Sequence, residues 1–146
     1  MKKGRGGITS SDVIGRYIKK LYDKGIILIS DHIYYSIILR GEYPYVAELF
    51  EGLAEQEAVA FRMLGEILVK LGIDPKPQLR ARSGGVGNEC RIERIISYEA
   101  EELRKYLSEI ERAEGLCRDK DIYAKLEEIQ KMMNEKLAWF ERMRQS

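Results

Sequence analysis

Histidine and cysteine, the side chains that most often bind transition metals, are scarce in this chain of 146 residues. It has one histidine and two cysteines, Cys90 and Cys117, with no Cys-x-x-Cys pair, which excludes the usual structural zinc patterns. The histidine has no nucleophile at a suggestive spacing, so a catalytic triad is also excluded. Two cysteines do not make a disulfide-stapled secreted scaffold, and we therefore expect a reducing, cytoplasmic location.

Long apolar runs and net charge are lacking as well. No stretch reaches the length of ~20 apolar residues that a membrane-spanning helix needs. Lysine and arginine number 25 against 24 aspartates and glutamates, so no global field attracts nucleic acid or acidic membranes, and we expect neither as a partner. The start, MKKGRGG, has no apolar segment after it, so we expect a flexible basic tail over residues 1–11 rather than a signal peptide.

Proline is rare, with three residues, while glutamate, lysine, leucine and isoleucine are abundant, which favours a mostly helical protein. Helical periodicity runs from Val13, after four possible N-caps, and again from Tyr45 to Gly72. A third helix is predicted from near Cys90 to Gly115, and a fourth after a turn and cap at Asp119 to Asp121. The segment GIILIS is also a candidate strand, but the helical periodicity continues through it.

Four helices with a longer connection between the second and the third predict an all-α, four-helix-bundle domain over residues 12–146. The longer connection is KPQLRARSGGVGNE, residues 76–89. In the first helix, IILISDHIYYSIIL has apolar residues on more than one side. Such a helix must be covered on more than one side, so we expect a homodimer through helix one.

One carboxylate interrupts the apolar stripe of the second helix. On a helical wheel at about 100° per residue, Glu57 lies at the centre of a stripe of five apolar residues, Leu53, Ala60, Leu64, Leu68 and Leu71. An isolated buried carboxylate is costly, so Glu57 is predicted to be protonated, paired or bound to a ligand.

The stretch around Glu57, AELFEGLAEQEAVAFRMLGEILVKLGIDP, resembles the second helix of rubrerythrin-type, ferritin-like proteins. In that family this helix carries a Glu-x-x-His and closes with a Leu-Gly-Gly-Asp-Pro-like turn. The resemblance covers this helix well, helices one and three weakly, and helix four by position. It implies a ferritin-like four-helix bundle with di-iron or di-manganese chemistry, such as peroxide reduction or ferroxidase activity.

The resemblance carries the family's metal ligands over only in part. It makes Glu57 a ligand, but Ala60 stands where the family has histidine. Glu99, with Tyr106 seven residues later, matches the family pattern in helix three. His32, on the inward face of helix one, is either a substitute ligand or the hydrogen-bonded partner of Glu57 or Glu99. In helix four, Glu135 faces away from the apolar stripe and is predicted to be solvated.

The resemblance therefore implies a degenerate ferritin-like protein. Its remnant metal candidates are Glu57, Glu99 and His32, and we expect a non-catalytic binding or structural protein without a cofactor. The alternative is an oxidoreductase of the rubrerythrin or ferritin type, with a reduced carboxylate site that holds iron or manganese. A third hypothesis is an accessory protein that binds nucleic acid or a membrane surface through the MKKGRGG tail, Arg80 and Arg82.

Overall fold

The computed structural model of this protein describes residues 10–79 and 92–145. The regular structure in these residues consists of four helices, which are α1 (Ser10–Ile38), α2 (Pro44–Lys70), α3 (Ile92–Leu116) and α4 (Lys120–Gln145). The described part of the chain contains no strand, so the GIILIS segment lies within α1. The prediction of an all-α protein with four helices is confirmed.

The chain divides into two compact units, Met1–Leu79 and Arg80–Ser146. In the first unit α1 packs against α2, and in the second α3 packs against α4. A short turn connects the helices within each unit, so each unit is an antiparallel helical hairpin. The single domain over residues 12–146 stays a prediction.

The predicted tail and the predicted long connection fall largely on residues that the structure does not describe. Helix α1 begins at Ser10, so the last two residues assigned to the tail over residues 1–11 belong to the helix. Residues 1–9 lie outside the described residues, as do Arg80 and Arg82 and most of the connection. No helix in the described ranges is long and apolar enough to cross a membrane.

The two ends of α2 follow from residues that act on the backbone. Pro44 occupies the first turn, where the missing N–H costs no hydrogen bond. At the other end Gly72 adopts a φ of 78°, a left-handed conformation that favours glycine. The amide of Gly72 then donates to the Val69 carbonyl at 3.0 Å, and the amide of Ile73 donates to the Leu68 carbonyl at 2.8 Å. These two bonds form a Schellman motif, which ends the helix where the sequence predicts.

After this cap, residues 73–78 lie against the first half of α1. A Cβ atom built on Gly15 would lie 2.7 Å from Cδ1 of Ile73, so a larger residue at position 15 would require the end of the Ile73 side chain to move. The hydroxyl of Tyr22 donates to the Pro75 carbonyl at 2.6 Å. The Tyr22 ring also stacks on Phe61 of α2, with 4.2 Å between ring centroids. These contacts fix α1, α2 and the segment that follows them as one hairpin.

The α3–α4 hairpin closes through a capped turn. Asp119 Oδ1 accepts hydrogen bonds from the amides of Asp121 at 2.9 Å and Ile122 at 3.1 Å, which makes Asp119 the N-cap of α4. The buried apolar side chains on these helices include Ile95, Leu103, Ile110, Ile122, Leu126, Ile129, Met133 and Phe140. Leu137, also on α4, is only half-buried.

Candidate functional site: a buried histidine–glutamate pair

The α1–α2 hairpin brings the only histidine of the chain against the carboxylate that interrupts the apolar stripe. His32 lies in the second half of α1 and Glu57 in the middle of α2, with exposed fractions of 2% and 5%. His32 Nδ1 and Glu57 Oε1 are 2.7 Å apart and share a hydrogen bond. Of the alternatives that the sequence left open for Glu57, the structure shows pairing with His32.

Aromatic rings lie beside the imidazole of this pair. The imidazole of His32 lies 5.5 Å from the Phe50 ring, and that ring lies 5.1 Å from the ring of Tyr35. One turn after Glu57 on α2, Ala60 is fully buried. Burying a carboxylate or an imidazole in such surroundings is costly unless the polar atoms are hydrogen-bonded. The bond between them therefore makes it possible for both groups to remain in the core.

Glu99, the other carboxylate predicted to bind a metal, belongs to the second unit. It lies on α3 with an exposed fraction of 2%, and Tyr106, seven residues later on the same helix, has one of 5%. Burial of Glu99 on the inward face of α3 agrees with the sequence pattern. On α4, Glu135 is exposed, which confirms the prediction that it is solvated.

The donor set does not fit a di-iron centre of the ferritin-like type. Such centres take two Glu-x-x-His motifs and two further glutamates, whereas the whole chain has a single histidine. Across residues 10–79 and 92–145, no group of three or more histidine, cysteine, aspartate or glutamate side chains is placed to hold a metal ion. A metal role for Glu57, Glu99 and His32 stays a prediction.

The pair can hold a proton between a nitrogen and an oxygen, but it does not present that proton to solvent. The side chains of His32 and Glu57 expose 3% and 6% of their surfaces. An open groove of about 310 Å³ in the same hairpin is lined by Tyr22, Phe61 and Gly65 together with other residues of α2, and neither member of the pair lines it. A general base must reach the proton that it abstracts from a substrate. As it stands, the pair is better suited to joining the helices than to acting on a substrate.

A scan against protein-family models finds no match to the chain, and a search of curated protein sequences finds none either. The likeness to rubrerythrin-type proteins therefore stays a prediction from the sequence.

A second group of titratable residues was not singled out from the sequence. Three carboxyl groups, Glu111, Glu114 and Glu127, lie near Gln130 and Tyr123 where α3 and α4 meet their connecting turn. The charged run over residues 99–114, EAEELRKYLSEIERAE, is typical of a solvated helical face.

Proposed function

We propose that this chain is a non-catalytic helical protein that acts by association, with a second copy bound to the outer face of α1. That face, defined by Ile33, Tyr34, Ile37 and Ile38, carries the proposal. The exposed fractions are 46% for Ile33, 52% for Tyr34 and 67% for Ile37. Four large apolar side chains left in water on one stretch of helix mark an interaction surface.

The helix geometry makes these four residues one surface. Ile33 and Ile37, and likewise Tyr34 and Ile38, are four positions apart and so are neighbours along one side of α1. His32, which points at α2, lies on the opposite side of the helix. One side of α1 therefore serves the hairpin core, while the other remains available to a partner.

A second copy fits this surface better than a charged partner does. No aspartate, glutamate, lysine or arginine occurs from His32 to Leu39, and the net charge of the chain is only +1. An uncharged apolar helix face can pair with itself about a two-fold axis, the commonest symmetry of soluble oligomers.

The exposed area is in the range that such a dimer needs. The outer face of α1 leaves on the order of 400 Å² exposed in each copy. An interface that also took in Tyr45, the second residue of α2 and 68% exposed, would bury about 1,100 Å² in total. That lies at the lower end of specific interfaces, so we expect a dimer that dissociates on dilution.

The experiment compares a charge placed on the outer face of α1 with the same charge placed elsewhere. Ile37→Lys should convert the dimer to a monomer, because a buried lysine without a partner opposes association. Val59→Lys is the matched control, since Val59 is 50% exposed on α2 and lies outside that face. Light scattering coupled to size-exclusion chromatography gives the mass of each variant. A wild type that stays monomeric at ~100 µM, or an Ile37→Lys dimer, would contradict the proposal.

A second candidate function is metal binding. It is supported by the short distance between His32 Nδ1 and Glu57 Oε1, because both atoms can bind a metal ion. Under this alternative the chain is an oxidoreductase with a reduced carboxylate site that holds iron or manganese, and His32 and Glu57 supply a nitrogen and an oxygen donor. Elemental analysis of protein purified without chelator separates the two candidates. One or more tightly bound iron or manganese ions per chain would favour the oxidoreductase, and a metal-free dimer favours association.

A further inference from the structure

A line of aromatic rings runs from the buried pair to the outer face of α1. The imidazole of His32, which is hydrogen-bonded to Glu57 at 2.7 Å, lies 5.5 Å from the Phe50 ring. The Phe50 ring lies 5.1 Å from the Tyr35 ring, and the Tyr35 ring lies 5.7 Å from that of Tyr34. The exposed fraction rises from 0% for Phe50 to 8% for Tyr35 and 52% for Tyr34. At Tyr34 the aromatic interior of the hairpin therefore meets the surface.

This support distinguishes Tyr34 within the outer face of α1. Tyr34 is the one aromatic member of that face, and its ring is tilted by 53° against the Tyr35 ring. Tyr35 is in turn tilted by 43° against the fully buried Phe50 ring. Tilted arrangements at such distances are the ones that aromatic pairs favour. The Tyr34 ring thus lies against a neighbour that the core itself holds in place.

A supported ring has an advantage in binding. Association costs free energy when a flexible side chain must be immobilised at the interface, and a side chain that is held in its bound orientation beforehand avoids much of that cost. Tyrosine also offers a large apolar area with only two side-chain torsions. Residues of this kind are enriched among hot spots, the few interface residues that contribute most of the binding free energy.

We propose that Tyr34 is the hot spot of the outer face of α1, and that the Tyr35 ring, supported by Phe50, holds Tyr34 in the orientation that binds the second copy. This inference rests on the proposed dimer and names the side chain that dominates its affinity. Tyr35 is a positioning residue, because it is buried and acts on the second copy only through Tyr34. If exposure alone decided the affinity, Ile37, which is 67% exposed, would dominate instead.

The test measures the dissociation constant of the dimer by sedimentation equilibrium. Tyr34→Ala should weaken the dimer by about 30-fold or more, the threshold of a hot spot. Ile33→Ala is the matched control, since Ile33 is 46% exposed on the same face, and it should weaken the dimer by about fivefold or less. Far-UV circular dichroism shows that each variant is folded.

A second pair of variants tests the positioning role of Tyr35. Tyr35→Leu removes the ring behind Tyr34 and leaves the outer face of α1 unchanged, so it should weaken the dimer by about three- to tenfold. Tyr35→Phe keeps the ring and should restore the affinity of the wild type. In a Tyr34→Ala background, Tyr35→Leu should have no further effect on the dissociation constant, because no ring remains to be held.

The outcomes separate this inference from the proposed dimer. Equal losses in Tyr34→Ala and Ile33→Ala would overturn the hot spot but leave the dimer in place, and additive effects of Tyr34→Ala and Tyr35→Leu would overturn the positioning role. A wild type that stays monomeric would overturn the dimer and this inference together. Should Tyr35→Leu fail to fold, the χ1 rotamer of Tyr34 is measured by NMR couplings in dilute wild-type protein. One dominant rotamer supports the proposal, and averaging over several overturns it.

Discussion

Replacing the buried pair of the α1–α2 hairpin one member at a time, and then together, should show that the contributions of His32 and Glu57 to stability are coupled. Glu57→Leu removes the carboxylate oxygen that lies 2.7 Å from His32 Nδ1 and so breaks the hydrogen bond between them. The loss of one partner in a buried hydrogen bond costs about 1–3 kcal/mol. His32→Leu removes the imidazole from the buried carboxylate instead, and breaking a buried charged pair by the loss of one partner costs about 3–5 kcal/mol.

The double variant, His32→Leu with Glu57→Leu, should lose clearly less stability than the sum of the two single losses, because neither substitution then removes the hydrogen-bond partner of a remaining member of the pair. If the two effects were independent, the double variant would lose about 4–8 kcal/mol. The two expectations differ by several times the error of the measurement.

Equilibrium unfolding in urea, followed by far-UV circular dichroism at neutral pH, gives the free energy of unfolding for each variant. Glu55→Leu, an exposed position on the same helix, is the control and should stay within about 0.5 kcal/mol of the wild type. Additive losses in the double variant would refute the account of the pair, and so would single variants that are as stable as the wild type.

Three further changes test other contacts, each measured by urea unfolding. Gly65→Ala should lower the free energy of unfolding by about 1–3 kcal/mol, because its Cβ would lie 3.0 Å from the Tyr22 ring, which the Phe61 ring and a hydrogen bond hold in place. Gly115→Ala, with open space around it, should instead raise the free energy of unfolding by about 0.5–1 kcal/mol. The opposite order of stabilities would contradict this packing. Tyr22→Phe keeps the stacked ring but loses the hydrogen bond to the Pro75 carbonyl, and should lower the free energy of unfolding by about 1 kcal/mol. An unchanged stability would show that this hydrogen bond contributes nothing. Asp119→Ala removes the N-cap of α4 and should lower the free energy of unfolding by about 1 kcal/mol. Asp119→Asn can still cap the helix and should be about as stable as the wild type. Equal losses of stability in both variants would argue against capping.

Much of the fold follows from short-range rules. The Gly72 terminator and the Asp119 cap depend on residues a few positions away, and both are at the predicted places. The apolar stripes predict which face of each helix is buried, so Glu57 and Glu99 could be placed in the core. The exposure of Glu135 follows from the same argument.

The pairing within the site could not be predicted in the same way. A helical wheel gives the direction of a side chain but not its height relative to a neighbouring helix, so His32 could face either Glu57 or Glu99. The choice depends on the length and geometry of the turn between α1 and α2, which closes through a bond from the Tyr43 amide to the Leu39 carbonyl at 2.7 Å.

Chemical cross-linking between copies tests the association through α1 most directly. In a background with Cys90→Ser and Cys117→Ser, a single cysteine is introduced at position 37 on the outer face of α1 or at position 59 on α2, and each protein is treated with a short bifunctional thiol reagent. Association through this face predicts a covalent dimer for Ile37→Cys and little or none for Val59→Cys. Equal cross-linking at both positions, or none at position 37 in a protein that is dimeric by mass, would contradict it.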